Sequence, residues 1–207
     1  VIVLGNSSGL DTILQTGIKE AGARIVFNRN CGSMGYCLPA GIGAYEAVKR
    51  PIHVVTGDGC IMMNIQELAT ISFHKMPIKI FIFNNGGYCG VVNTQTKFFQ
   101  DRLCGCTKDS GIWMPPFRKI ADAFEIKYQL LENHKQLDEQ FDQIMNDQGP
   151  MVVEIMQDLK QGIEPAASSK RDDSGNIVST AIDDGYPFLS KEEYEACQFD
   201  QWSAGRN

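Results

Sequence analysis

Two short runs in this chain have the residue types and the spacing for metal-ion chemistry. Gly57-Asp58-Gly59 is followed, after 24 further residues, by Asn84-Asn85-Gly86-Gly87. Asp58 offers a charged oxygen, an Asn side chain offers a neutral one, and the Gly86-Gly87 pair lets the backbone come close and present a carbonyl. A hard cation such as magnesium takes oxygen ligands of this kind in an octahedron completed by water and phosphate oxygens. The pair of runs therefore reads as the protein's share of an oxygen cage around a cation that carries a diphosphate. Either run alone is equally an ordinary turn, since Gly, Asp and Asn dominate tight turns. Spacing and strand context give the combination its meaning.

Those ligands must be held by elements that end beside one another. Residues 53–56 read as a short buried strand, which puts Asp58 in the turn where it stops, and residues 78–83 read as the next strand, ending at Asn84-Asn85. A helical pattern over 64–74 lies between them. A strand, a crossover helix and a parallel strand need about this much chain, and both turns then fall at the carboxyl edge of one sheet, where open α/β folds bind ligands. Further apolar, β-branched runs at 1–4, 24–27, 127–131 and 151–156 suit strands buried on both faces, and helical patterns at 11–21, 38–50, 116–124 and 134–146 separate them. The alternation predicts an α/β fold: a doubly wound parallel sheet with helices on both faces. Residues 93–113 have no clear period and follow the metal turn directly, so they read as a lid over the site or as irregular surface loop.

Length and charge narrow the function. With 207 residues, 43% of them hydrophobic, the chain can bury a full core. Residues 1–160 read as one binding domain. Residues 161–207 read as an extension packing on that domain or on a partner, with a turn or hairpin tip at 168–176 and a short helix at 191–198. The net charge of −6, with no basic cluster, argues against a nucleic-acid partner. No stretch approaches 18 apolar residues, and the opening Val1-Ile-Val-Leu-Gly5-Asn6 has neither a basic start nor a cleavage site, so neither a membrane span nor a signal peptide is expected and the cytoplasm is. Seven cysteines at irregular spacing read as free thiols rather than a zinc site. His53, His74 and His134 are scattered, and no hydrolase triad is expected. The lack of an initiator Met and the start within a strand suggest a fragment of a longer polypeptide, or a subunit of a naturally split enzyme.

Longer stretches carry a family resemblance. Gly57-Asp-Gly-Cys-Ile-Met-Met-Asn-Ile-Gln-Glu-Leu-Ala-Thr-Ile71, Met76-Pro-Ile-Lys-Ile80 and Asn84-Asn85, with Cys31-Gly-Ser-Met-Gly-Tyr-Cys-Leu-Pro-Ala-Gly-Ile-Gly43 upstream, resemble the thiamine diphosphate-dependent enzymes. Within them, the match is to the C-terminal diphosphate-binding domain of the acetohydroxyacid (acetolactate) synthase branch, over residues 1–160. The resemblance implies thiamine diphosphate and Mg2+ as cofactors, with Asp58, Asn85 and the Gly87 carbonyl on the metal. It implies diphosphate contacts from Gly5, Asn6 and Ser7, although Ser7 or Ser8 can also cap the helix that follows. Gly32 matches the carbonyl that accepts from the aminopyrimidine 4′-amino group, and Met34 the apolar prop that bends the thiamine. Ser33, Gly57, Gly59, Cys60 and Tyr88 complete the implied cofactor contacts. Cys60 stands where synthases carry Ser, and a thiol is the poorer hydrogen-bond partner, so its backbone amide is the safer contact. Glu67 reads as structural.

The same resemblance implies decarboxylation of pyruvate and transfer of the two-carbon unit to a second carbonyl, with a 2-oxoacid decarboxylase and a non-catalytic cofactor-binding module as alternatives. Gly90 and Thr94 stand where synthases have Met and Trp lining the acceptor pocket, which suggests a bulkier or more polar acceptor such as a keto-sugar. The activating Glu belongs to a pyrimidine-binding domain absent from these 207 residues, so no catalytic residue is expected in this chain. That domain is expected as a partner, in the same polypeptide or another subunit of a homodimer or homotetramer. FAD in the full-length enzyme is not assignable from this segment.

Overall fold

Short runs of Ile, Val and Phe with no polar face are stable as strands only where both sides are covered. In the computed structural model, which describes residues 1–17, 21–28, 30–162, 164, 166, 168–181 and 183–197, six such runs form one all-parallel sheet. The strands are β1 (Ile2–Leu4), β2 (Ile25–Phe27), β3 (Ile52–Gly57), β4 (Ile78–Asn84), β5 (Lys127–Leu131) and β6 (Met151–Met156), in the order β2-β1-β3-β4-β6-β5. The helices of this layer are α1 (Ser8–Thr16), α2 (Cys37–Val48), α3 (Asp58–Ile61), α4 (Glu67–Phe73), α5 (Cys89–Phe99), α6 (Phe117–Ala123) and α7 (His134–Asn146).

Successive residues of each strand serve opposite cores, as the pleat requires. Val54, Ile80, Ile82 and Val152 pack with Leu38 of α2, Leu68 and Ile71 of α4 and Phe117 of α6. Val55, Phe81 and Val153 pack on the other face with Leu10 of α1 and Ile144 of α7. The doubly wound architecture expected from the alternation of elements is present.

Three local expectations change. The helix read at 64–74 is α4, which starts only at Glu67 and is preceded by α3 and a 3-10 turn at Met62–Asn64. There the Gly35 turn presses on it: a Cβ on Gly35 would meet Met63 Cβ at 2.6 Å, and Asn64 Nδ2 donates to the Gly35 carbonyl at 3.1 Å. The periodless stretch read at 93–113 begins as helix, since α5 runs to Phe99. It contributes no residue to either core cluster and so carries no core-facing apolar stripe for a periodicity argument to find. The first helix is earlier and shorter than 11–21, ending at Gly17 with φ +73°; residues 18–20 lie outside the described set.

The chain divides into two compact units, Val1–Gln161 and Gly162–Asn207. In the second, β7 (Ser169–Arg171) and β8 (Ile177–Ser179) form an antiparallel hairpin. Ala166 and Tyr186 exchange backbone hydrogen bonds, and α8 spans Lys191–Cys197. The last residue of the expected 191–198 helix lies outside the described residues. Among the described residues no helix is long and apolar enough to cross a membrane.

Candidate functional site

The strand order reverses direction between β1 and β3, since β2 lies on one side of β1 and the later strands on the other. At such a switch point the turns after neighbouring strands diverge and leave a crevice at the carboxyl edge. The turn after β1 carries Gly5-Asn6-Ser7, that after β3 carries Asp58, and that after β4 carries Asn85-Gly86-Gly87. A Cβ on Gly57 would lie 2.9 Å from Ser7 Cβ, so the first two turns touch.

Asp58 joins the second turn to the third. Its Oδ2 accepts from the amides of Gly86 at 2.8 Å and Gly87 at 3.1 Å, and its Oδ1 from that of Gly59 at 2.8 Å. The residue is 2% exposed, and burial raises its carboxyl above the ordinary range while the surrounding backbone amides pull it down. A cation against that carboxylate would act in the same sense as the amides. Asn85 Oδ1 accepts from Gly87 N at 3.3 Å, so carboxylate, side-chain amide oxygen and Gly87 backbone are gathered in one turn. This is an oxygen-only donor set of the kind hard divalent cations take.

The turn after β1 offers an anion site. Ser7 is the N-cap of α1, in extended conformation, but its hydroxyl makes no capping bond and is buried without a hydrogen-bond partner. A buried hydroxyl left unpaired is costly. An anionic oxygen beside the free amides of the helix start would satisfy it. The residues present thus fit a diphosphate held at α1 and bridged through a cation to Asp58.

The remaining predicted positions fall around this crevice in differing ways. Asn6 Nδ2 donates to the Gly32 carbonyl at 2.7 Å, so two of the predicted contacts occupy each other. Gly32 takes φ +58°, a conformation that suits glycine. Ser33 is exposed, and Met34 is half-buried against the core face that holds α2 and α4. Tyr88 lies against Gly59, where a Cβ would come within 2.2 Å of its ring. Its amide donates to the Cys106 carbonyl at 2.9 Å, tying residues 104–111 to the metal turn. Gly90 and Thr94 are exposed, one turn apart on α5, with Thr94 Oγ1 donating to the Gly90 carbonyl at 3.0 Å.

Cys60 is buried beneath the crevice, where a Cβ on Gly5 would meet its sulfur at 3.2 Å. Its sulfur accepts from Gly35 N at 3.3 Å, while Cys37 donates to Thr56 Oγ1 at 3.2 Å within the same buried cluster. The neighbouring Cys37, with Thr56 and the Gly35 and Asn6 amides, holds the Cys60 thiol well below its usual range, at about 6. The side chain is therefore engaged with its buried neighbours. Among the described residues no group of three or more His, Cys, Asp and Glu side chains forms a metal cluster.

Sequence reasoning passed over Asn84, Glu154 and Gln157. Asn84 Nδ2 donates to Glu154 Oε1 at 2.5 Å, and the Asn84 carbonyl accepts from Gln157 N at 2.9 Å. Gln157 Oε1 also accepts from Ser8 at 3.1 Å, linking the metal turn to the start of α1. One signal was available for Glu154, a carboxylate inside the otherwise apolar run 151–156.

Comparison with known proteins agrees with this geometry. Residues 11–155 match the family model described as thiamine pyrophosphate enzyme, C-terminal TPP binding domain. The acetolactate synthase large subunit of Porphyra purpurea is 37% identical over 138 residues, 66% of this chain and 23% of that protein. The acetolactate synthase isozyme 2 large subunit of Escherichia coli (strain K12) is 34% identical over 137 residues, 65% of this chain and 24% of its own length. The mitochondrial acetolactate synthase of Schizosaccharomyces pombe is 31% identical over 142 residues, 68% of this chain and 21% of its own. The chain thus spans about a quarter of the length of these relatives.

Proposed function

The chain belongs to the thiamine pyrophosphate enzymes as their C-terminal TPP-binding domain, and from that membership we propose that it is the diphosphate- and magnesium-binding half of a carboligase site resembling that of acetolactate synthase. The observation that carries the reading is the buried Asp58 carboxylate, which gathers the 84–87 turn beside the unpaired Ser7 hydroxyl at the start of α1.

In this reading Asp58, Asn85 and the Gly87 carbonyl hold Mg2+, and Gly5, Asn6, Ser7 and the Gly57–Cys60 backbone receive the diphosphate. Ser33, Met34 and Tyr88 wall the crevice, and Met34 props the thiamine. Gly32 offers its carbonyl to the aminopyrimidine once Asn6 turns away from it. When bound, the cofactor supplies an electron sink for loss of carbon dioxide from a 2-oxoacid. The pyrimidine-binding domain, in the same polypeptide or another subunit of an oligomer, supplies the activating Glu, so this chain alone is catalytically incomplete. Gly90 and Thr94, small and exposed on α5, leave room at the acceptor side for a carbonyl compound larger than a simple 2-oxoacid. Residues 1–160 form the binding domain in this reading.

Calorimetric titration of thiamine diphosphate into the full-length protein tests this. Binding should require magnesium, and Asp58→Ala should weaken it by about 100-fold or more, the upper end of what even outer-shell changes cost a metal site. Binding that is indifferent to magnesium or to the substitution removes the reading.

A further inference from the structure

Glu154 lies inside β6, paired with Ile82 of β4 and Leu130 of β5, and is buried. Its neighbours in the strand are apolar, and a Leu there would fit the pattern without the cost of taking a carboxylate out of water. Both its oxygens are engaged by the flanking strands: Oε1 accepts from Asn84 at the end of β4, and Oε2 from the Tyr128 hydroxyl of β5. The Arg118 guanidinium covers the Tyr128 ring at 4.4 Å.

The consequence lies in which way the Asn84 amide faces. A carboxylate only accepts, so it fixes the amide nitrogen toward itself and the amide oxygen away. That oxygen then accepts from Gly86 N at 3.0 Å, the same N–H that reaches Asp58 Oδ2 at 2.8 Å. A flipped amide would set its NH2 against the Gly86 N–H and force the turn off Asp58. We propose that Glu154, steadied by Tyr128, is a positioning residue for the metal turn, orienting Asn84 so that the Gly86-Gly87 segment meets Asp58 in the geometry that binds the cation. This rests on the assignment of Asp58, Asn85 and Gly87 to magnesium.

The experiment is a magnesium titration of the full-length protein at saturating thiamine diphosphate, with the melting temperature of the cofactor-free protein measured in parallel. In Glu154→Leu the magnesium Kd should rise by roughly 10- to 100-fold, the range for loss of an outer-shell partner. Glu154→Gln should stay close to wild type, because its Oε1 still accepts from Asn84 while its NH2 donates to the Tyr128 oxygen. Asn84→Ala should lose as much as Glu154→Leu, and the double variant no more than either, since both break one chain of contacts. Wild-type magnesium affinity in Glu154→Leu alongside a lowered melting temperature overturns the proposal, as does equal loss in Glu154→Gln or additive losses in the double variant. If Glu154→Leu does not fold, Asn84→Ala decides: unchanged magnesium affinity in it overturns the proposal. Magnesium-independent cofactor binding by the wild type would instead take down the underlying assignment, a separate and visible failure.

Discussion

A methyl group on Gly87 would lie 2.2 Å from the carbonyl oxygen of Cys106, a backbone atom that cannot swing aside. One on Gly59 would lie equally close to the Tyr88 ring, which can. Gly87→Ala should therefore cost the more of the two, about 2 kcal/mol or beyond, and lower the melting temperature of the protein by about 4 °C or more. Gly59→Ala should cost less and turn Tyr88 out of the crevice, seen as a change in its fluorescence or NMR shifts. Thermal scans of the two variants check the order, and a reversed order would mean that the 104–111 segment yields more readily than the ring. At this scale the sequence was most informative where chemistry demands particular types. Asp58 and the Asn-Asn-Gly-Gly turn were legible because few residues offer oxygen ligands beside a permissive backbone. Glu154 was not, since its partners Asn84 and Tyr128 are 70 and 26 residues away and no local pattern joins them. The engagement of Cys60 was hidden likewise, because Cys37 and Gly35 come from a different turn.

Between elements, the sheet is fastened at its amino end as well as at its site end. Lys79, near the start of β4, has a side chain only 3% exposed, and its ammonium donates to the carbonyls of Asp147 and Gly149 where α7 ends. Lys79→Met should leave those carbonyls unpaired and cost about 1–3 kcal/mol. Magnesium and cofactor affinity should not change, because the contact lies at the opposite end of the strand from Asn84. Loss of affinity in that variant would show that the two ends are coupled. Asp147 also pairs with Lys127, and chiefly through that hydrogen bond its carboxyl is held below the ordinary aspartate range, with the Gly149 amide and Lys79 adding to the effect. A depressed folded-state pKa contributes stability at pH above the unfolded value, near 4, and that contribution is lost as pH falls through the folded value. Denaturant melts from pH 7 to pH 2 should thus show a steeper acid limb in the wild type than in Asp147→Asn; identical limbs would contradict the assigned shift. The central strands were legible as mainly apolar runs covered on both faces, and α7 by the apolar positions Leu137, Ile144 and Met145 that it packs into the core. Helix α5 was not, since none of its residues joins either core cluster, and the break before α4 depends on contact with the Gly35 turn.

Taken whole, the matched part of the chain spans about a quarter of the length of its relatives, and the family match stops at residue 155. The full-length protein should be where carbon-carbon bond formation is measured. Incubated with pyruvate and a panel of carbonyl acceptors, it should yield two-carbon adducts, with bulkier acceptors tolerated. Thr94→Trp should lower kcat/KM for bulky acceptors relative to small 2-oxoacids by about 10-fold or more, the order that steric changes in a pocket command. Acetaldehyde as the single product with every acceptor would point to a decarboxylase instead. Family membership was legible from spaced motifs because the turns after β1, β3 and β4 meet at one sheet edge and each constrains its own residues. The 162–197 segment shares no such constraint, so only its hairpin and its short helix were visible in the sequence.

The bond from the Tyr88 amide to the Cys106 carbonyl gives the protein an internal clock. Cys104 is exposed and Cys106, two residues on, is fully buried. Alkylation of Cys106 must then wait for the segment to lift from the 84–87 turn, while exposed Cys104 reacts without that opening. The ratio of the two labelling rates reads the fraction of time the segment stands open, and any ligand that braces Gly87 will slow the one thiol and leave the other as its reference.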